Sequence, residues 1–362
     1  MYLTPTLTVS LPAIVANWRL LAQRFTGEEC AAVVKADAYG LGALPVSQAL
    51  AAAGCHTFFV ATLDEALELR ESLPDVRILV FHGVQAGEEF AFVAHRLIPV
   101  LNSLPQIARW KAVAAEHVHA VSALHIDTAM ARMGLQSEEF SALMARDPAI
   151  LDDCRVGLLL SHFACSPESD HPLNAAQLAL FSAARALAPN IPASLCNSGG
   201  IFLAPEYHFN LARPGCSLYG IAPQAQGANP MAQVATWQAP ILMTRTLAHE
   251  QTVGYGASQT LPSGARIATV ASGYADGYLR HLSGKAVGYV GDHKVALVGR
   301  VTMDMLCFDV TQVPESLTQE GAPLTLLGDA PGIRVDEVAT AAGTIGYEIL
   351  TRIGARVARI YG

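Results

Sequence analysis

AAVVKADAYG, residues 31–40, is the stretch on which the fold turns. Small and β-branched apolar residues run without polar alternation into Lys35, and glycine closes the segment. An unbroken apolar run of this length reads as a strand buried on both faces, the kind found in parallel sheets. The same grammar repeats outward from it, in TFFVAT (57–62), RILVFHG (77–83), RLIPVL (96–101), SALHIDT (122–128), VGLLLSHFA (156–164), ASLCNSGG (193–200) and FNLARPG (209–215). Between them lie amphipathic stretches such as LDEALELRESL (63–73) and NAAQLALFSAARAL (174–187). Strand-like runs alternating with helical patterns call for a parallel sheet. Eight such runs is the number that closes a (β/α)8 barrel.

After about Met231 the texture changes. PILMTRTL (240–247), GARIATVASGYADGY (264–278), KAVGYVGDHKVALVGRVTMDMLCFDV (285–310) and PLTLLG (323–328) are β-rich with glycine-containing turns. The expected fold class is α/β: a (β/α)8 TIM-like barrel over 9–231, then a mainly antiparallel β-domain over 232–362. The strand-like stretch Leu3–Leu11 precedes the first barrel helix, so residues 1–8 are assigned to the second domain.

Bulk properties narrow the function classes. Only 15% of the 362 residues are charged, and the net charge of −8 is interspersed rather than blocked. No Lys/Arg cluster is present, so neither nucleic acid nor an anionic membrane is an expected partner. The N-terminus lacks a signal-peptide pattern. The long uncharged stretch Ala38–Leu63 is broken by Gly, Pro, Ser, Gln and His and makes a poor membrane span. Seven scattered cysteines without a CxxC pair point to a reduced cytoplasmic protein with no cysteine metal site.

In such a barrel the chemistry gathers at the C-terminal strand ends. Lys35 ends the first run. Asp127 and Arg132 end and follow the fifth, His162 the sixth, Asn197 and Ser198 the seventh, and Arg213 the eighth. A lysine after AAVV is either a chain reaching to water or a buried amine with a lowered pKa, able to form a Schiff base. Asn197-Ser198-Gly199-Gly200 and Arg213-Pro214-Gly215 are either tight turns or the two walls of a phosphate site, which barrels often place after strands seven and eight. A phosphate cradle opposite a Schiff-base lysine implies pyridoxal phosphate. Asp127 is open to a structural pairing with Arg132, and His162 to a role in the core.

VVKADAYGLG (33–42) resembles the pyridoxal-lysine signature of the alanine racemase family. The likeness continues through HIDTAMARMG (125–134), GLLLSHFA (157–164), CNSGG (196–200), RPGCSLYG (213–220), VGYGAS (253–258), GYADGY (273–278), GRVTMDM (299–305) and GYEILTRIGARVARIYG (346–362), in the family's order. The resemblance implies a racemase interconverting L- and D-alanine with two bases. Lys35 would be one, and Tyr255, supplied by the β-domain of a partner subunit, the other. A tyrosine, with an ordinary pKa of about 10, needs cationic neighbours for that task. It further implies that Tyr39, Ser198, Gly215, Cys216 and Tyr347 hold phosphate, that Asn197 belongs to the cofactor-binding set, and that Arg213 faces the pyridine nitrogen, with His162 beside Tyr255 and hydrogen-bonded onward to Arg213. Arg132 would hydrogen-bond the cofactor's phenolic oxygen and, with the partner's Met303 amide, bind the substrate carboxylate, and Arg300 and Asp304 would lie near the entrance or support that loop. The implied assembly is a homodimer with shared active sites.

The chain departs from the family pattern at four positions. His125 replaces a lysine that is often carbamylated and orients the arginine, so Arg132 must be held by His125 or by a bound anion. Ala129 stands where glycine is usual, and Asp37 and Leu41 replace a common Asn and His. Rival readings are a racemase for serine or for many amino acids, a decarboxylase on a similar barrel, and a pyridoxal-phosphate-binding protein with little catalysis. The second domain carrying Tyr255 argues against the last.

Overall fold

The computed structural model describes residues 4–362. Eight parallel strands form the first unit: Ala32–Val33, Thr57–Val60, Arg77–Val80, Ile98–Leu101, Ser122–Asp127, Val156–Leu160, Ala193–Ser194 and Leu211–Ala212. The first seven pair in chain order. Strand eight joins strand seven through Asn210 N–H to the Ala193 carbonyl (2.9 Å) and Arg213 N–H to the Cys196 carbonyl (2.8 Å). It also pairs in parallel with Glu29–Cys30, just ahead of the first strand, and this closes the ring. All eight runs picked from the sequence supply a strand, which makes the unit a TIM-like barrel.

Alternate residues of these strands face different layers. Ala31, Val33, Phe59, Leu79, Val100, Ala123, Leu158, Leu160 and Leu211 form one buried cluster, which fills the barrel interior. Their neighbours Ala32, Val34, Phe58, Val60, Ile78, Val80, Leu101, Leu124, Leu159 and Ala212 belong to the larger core under the helices. Burial on both faces is why the strands read as continuous apolar runs.

Local signals start the helices. Ser10 and Ser103 cap Leu11–Arg24 and Leu104–Glu116, each with proline in the first turn. Thr62 and Glu65 form a capping box on Leu63–Ser72.

The second unit is built on the long strand Ala235–Thr246. Its sheet runs through Pro323–Leu327, Val287–Val290, His293–Val298, Leu306–Asp309 and Arg266–Val270, and the last strand pairs back onto Ala235–Thr246. Thr6–Val9 adds antiparallel to Ala235–Thr246 and parallel to Ala358–Tyr361. Of the stretch read as a strand from Leu3, Leu3 lies outside the described residues. The unit also contains two helices, Val335–Ala342 and Gly346–Thr351, which the glycine-punctuated β reading of this half did not foresee. Among the described residues no helix is long and apolar enough to cross a membrane.

Candidate active site

The inward alternation of the barrel strands sets the site. Ala31 and Val33 point inward, so the next inward position is Lys35. The same step carries Leu79 to Phe81, Val100 to Asn102, Ala123 to His125, Leu160 to His162 and Leu211 to Arg213. Lys35, Phe81, His125, His162 and Arg213 accordingly line one cavity of about 510 Å³, together with Tyr39, Arg132, Asn197, Ser198, Gly215, Cys216 and Tyr347.

Lys35 ends its strand abruptly. Ala36, Asp37, Ala38 and Tyr39 follow with φ of 53, 53, 50 and 59°, a left-handed turn made without glycine. Such a conformation costs roughly 1–2 kcal/mol per residue, so it persists only where its surroundings enforce it. The turn leaves the Lys35 amine over the Phe81 ring, 5.6 Å from its centroid. Burial, and then Arg132, lower the amine's pKa, while Glu65 opposes the shift.

Tyr39 closes the turn and packs on Tyr219 and Tyr347, with ring centroids 4.7 and 5.7 Å away. Its hydroxyl lies against Gly215, where a Cβ would fall 2.5 Å from it. Ser198 Oγ accepts from the amides of Gly215 (3.0 Å) and Ser217 (3.3 Å). Asn197 Oδ1 accepts from Gly200 N–H (2.9 Å) and the Ser166 hydroxyl (2.7 Å), tying the loops after strands six and seven. A Cβ on Gly199 would sit 2.6 Å from Ser166 Oγ. This wall is rich in hydroxyls and amides, and its glycines leave no room for side chains.

Arg213, two residues before Gly215, is buried. Its two terminal nitrogens donate to Ser194 and to the Ser161 carbonyl, and its Nε has no partner. Burial lowers its pKa to about 10, which still leaves the guanidinium charged at neutral pH. The contacts run to Ser161 and Ser194 rather than to His162, the neighbour implied by the sequence resemblance. His162 is held neutral by burial and by Arg213 and Arg132, its pKa well below the ordinary value.

His125 does not replace a carbamate as a charged partner. Burial, then Arg213 and Arg132, push its pKa down to about 3. Its Nδ1 lies 2.8 Å from Asn102 Oδ1, and the Asn102 amide donates to the carbonyls of Phe81 (2.9 Å) and Val100 (2.7 Å). Because that amide is committed as donor, Oδ1 accepts and His125 Nδ1 carries the proton, leaving Nε2 an acceptor. Asp127 is not the ion-pair partner of Arg132. Its carboxylate instead accepts from the amides of Met130 (2.9 Å) and Ala131 (3.1 Å), turning the loop that carries Arg132. Within that loop Ala129 has φ 75°, which explains why glycine would suit the position.

Residues from the second unit divide into two groups. Tyr347, on Gly346–Thr351, lines the cavity of its own chain. Tyr255, Met303, Arg300 and Asp304 do not. Tyr255 is 72% and Met303 53% exposed. The Arg300 guanidinium lies against Gly256, next to Tyr255. Asp304 pairs with Arg356 (2.7 Å), which also reaches buried Asp276 (2.9 Å).

The N-terminal domain model of alanine racemase matches residues 9–223, and the C-terminal domain model of alanine racemase matches residues 234–361. The chain belongs to the alanine racemase family. Within it, the alanine racemase of Rhodospirillum rubrum is 51% identical, over 99% of this chain and 96% of that one. The catabolic alanine racemase of Agrobacterium fabrum is 44% identical, over 98% and 91%. The crystal structure of alanine racemase from Bartonella henselae, with covalently bound pyridoxal phosphate, superposes with a TM-score of 0.92 at 38% identity and covers 99% of each chain.

Three polar residues of this alanine racemase family member escaped the sequence reading. Asn102 was accessible through the alternation that places His125. Glu65 is the fourth residue of Thr62-Leu63-Asp64-Glu65, a capping-box pattern whose carboxylate has a second use. Gln177 is buried and joins Thr128 Oγ1 (3.2 Å), the His162 carbonyl (2.9 Å) and Ala164 N–H (2.9 Å). A glutamine inside an amphipathic helix carries no comparable signal.

Proposed function

We propose that this chain is a pyridoxal-phosphate-dependent alanine racemase that moves the α-proton of alanine with Lys35 on one face and Tyr255 of the partner subunit on the other. The observation that carries the reading is the inward placement of a burial-depressed amine at Lys35 in one cavity with the Ser198–Gly215 wall.

The residues fit the cofactor. Gly199 and Gly215 let the Ser166 and Tyr39 hydroxyls pack where a Cβ would clash, at 2.6 and 2.5 Å, so these hydroxyls and the neighbouring amides gather along one wall of the cavity, and the unpartnered Nε of buried Arg213 is a donor in search of an acceptor. Tyr39, Asn197, Ser198, Gly215, Cys216 and Tyr347 would hold the phosphate, and Lys35 the aldehyde carbon. Bound there, pyridoxal phosphate would supply an electron sink that acidifies the α-C–H bond of an attached amino acid.

The chain's own groups do the rest. Lys35, with its charge disfavoured by burial, is the amine that exchanges a proton at the substrate α-carbon. Arg213 would donate a hydrogen bond to the ring nitrogen and keep its proton, because a guanidinium remains charged at neutral pH. Neutral His162 and neutral His125 add no positive charge beside it. Arg132, with the partner's Met303 amide, would bind the substrate carboxylate, and His125 Nε2 is an acceptor available to orient that guanidinium. Arg300 and Asp304 would brace the loops that deliver Tyr255 and Met303.

The position of Tyr255, outside the cavity and exposed in the single chain, supports sharing of sites between subunits. Tyr255, Tyr274, Met303, Met305 and Ile345 are large apolar side chains left open on the second unit, the pattern of a surface awaiting a second copy. On this reading residues 9–231 carry the cofactor, while 232–362, with 1–8, serve the partner's site. The unpaired state of all seven cysteines supports a reducing, cytoplasmic setting.

The test is chiral analysis of alanine after incubation of the cofactor-loaded protein with L-alanine and, separately, D-alanine. Both runs should converge on an equal mixture, and serine run in parallel should invert more slowly. No inversion from either side, with cofactor bound, refutes the reading.

A further inference from the structure

The first barrel strand stops being a ladder where Lys35 begins. Before that point Ala32 pairs with Phe58 and Val33 with Phe59, and Val34 N–H donates to the Phe59 carbonyl at 2.9 Å. In a regular parallel ladder the next bonds would run from Ala61 N–H to the Val34 carbonyl and from Ala36 N–H to the Ala61 carbonyl. Neither forms. The left-handed turn brings Ala38 N–H onto the Val34 carbonyl (2.9 Å), and the Ala61 carbonyl accepts from His82 N–H (3.0 Å). Two strand-end amides are left over, one of them on the peptide that follows Lys35.

Glu65 takes both. One carboxylate oxygen accepts from Ala36 N–H at 2.7 Å and the other from Ala61 N–H at 2.7 Å. The bond that a helix cap requires, from Thr62 N–H, is the longest of the three at 3.4 Å. Glu65 is itself fixed, because its own N–H donates to Thr62 Oγ1 at 3.3 Å. Charge-assisted bonds of this length are the stronger kind.

We propose that Glu65 is a positioning residue for Lys35: its carboxylate replaces the missing rungs between the first and second strands and so aims the lysine into the cavity. The inference rests on the reading of Lys35 as the cofactor lysine. Glu65 reaches Lys35 through the backbone of the left-handed turn, whose far end is Tyr39, a second residue lining the same cavity. One carboxylate thus sets the separation of two residues that grip the same ligand. Its negative charge also works against burial and Arg132 at the Lys35 amine.

Wild-type holoenzyme is first reduced with borohydride and peptide-mapped; cofactor on a lysine other than Lys35 overturns this inference together with the assignment of Lys35. With Lys35 labelled, Glu65→Ala and Glu65→Gln are compared with wild type for kcat per bound cofactor, KM for alanine and thermal stability. In cofactor-free protein, the pH dependence of Lys35 modification by an amine-directed reagent is followed peptide by peptide. The expected result is a fall in kcat of about 10- to 100-fold, as for a small misplacement of a reacting group, with little change in KM. The Lys35 modification curve should move to lower pH, since removing a nearby negative charge favours the neutral amine. A lowered Tm with unchanged kcat per bound cofactor and an unchanged Lys35 curve would reduce Glu65 to a helix cap and overturn the inference, leaving the assignment of Lys35 intact. If Glu65→Ala does not fold, the near-isosteric Glu65→Gln carries the test alone.

Discussion

His125 shows how a barrel mouth can hold an imidazole without letting it charge. Burial and two guanidinium groups lower its pKa from 6.5 to about 3. The unfolded chain therefore binds a proton there at a pH where the folded chain does not. The stability this group permits is complete above about pH 6.5 and is lost progressively as the pH falls toward 3. In that window it contributes a slope of up to about 1.4 kcal/mol per pH unit, in the same direction as His162. His125→Leu should flatten the decline of the urea midpoint between pH 6.5 and 3 relative to wild type. An equally steep decline in the variant would show that other groups carry the acid sensitivity.

At the scale of elements, the loop after strand five holds Ala129 at φ 75°. Ala129→Gly should remove a penalty of roughly 1–2 kcal/mol at the cost of more backbone freedom in the unfolded chain, about 0.4–1 kcal/mol. The expected net is a stabilisation of up to about 1.6 kcal/mol in chemical denaturation, and a loss of stability would contradict the strain reading. Elements also mark what the sequence could reveal. The eight strands were legible because burial on two faces leaves apolar runs bounded by turns, and Lys35, His162 and Arg213 because they break those runs at their ends. The left-handed turn after Lys35 was not legible: Asp37 tolerates positive φ, but Ala36 and Ala38 on either side have no such preference, and tertiary partners impose it. Nor was the commitment of Asp127 to backbone amides, since sequence spacing allows an ion pair with Arg132 equally well. The helix bearing Tyr347 was missed because its surroundings are punctuated by glycine like the strands before it.

For the whole molecule, the separation of Lys35 from Tyr255 makes a direct prediction. Lys35→Ala and Tyr255→Ala proteins should each be nearly inactive. For the shared-site dimer proposed above, equal amounts allowed to exchange subunits should regain about a quarter of wild-type activity, because half of the dimers would be mixed and each mixed dimer would have one intact site. Chiral analysis of alanine, with subunit exchange verified by mass-tagged chains, measures this. No recovery after proven exchange would place both bases in one chain.

The two-residue alternation that brings Lys35, His125, His162 and Arg213 to one mouth also limits how such a protein can change over generations. A substitution at any of these positions alters one wall of the cavity and leaves the others where they are. Losing a single codon between Val33 and Lys35, by contrast, would turn the lysine toward the helices and carry an apolar neighbour into the mouth. Insertions and deletions should therefore be purged from the strands and tolerated in loops at the opposite end of the barrel, such as the segment around Asp75. New specificities in this scaffold would arise by exchanging letters at fixed strand length.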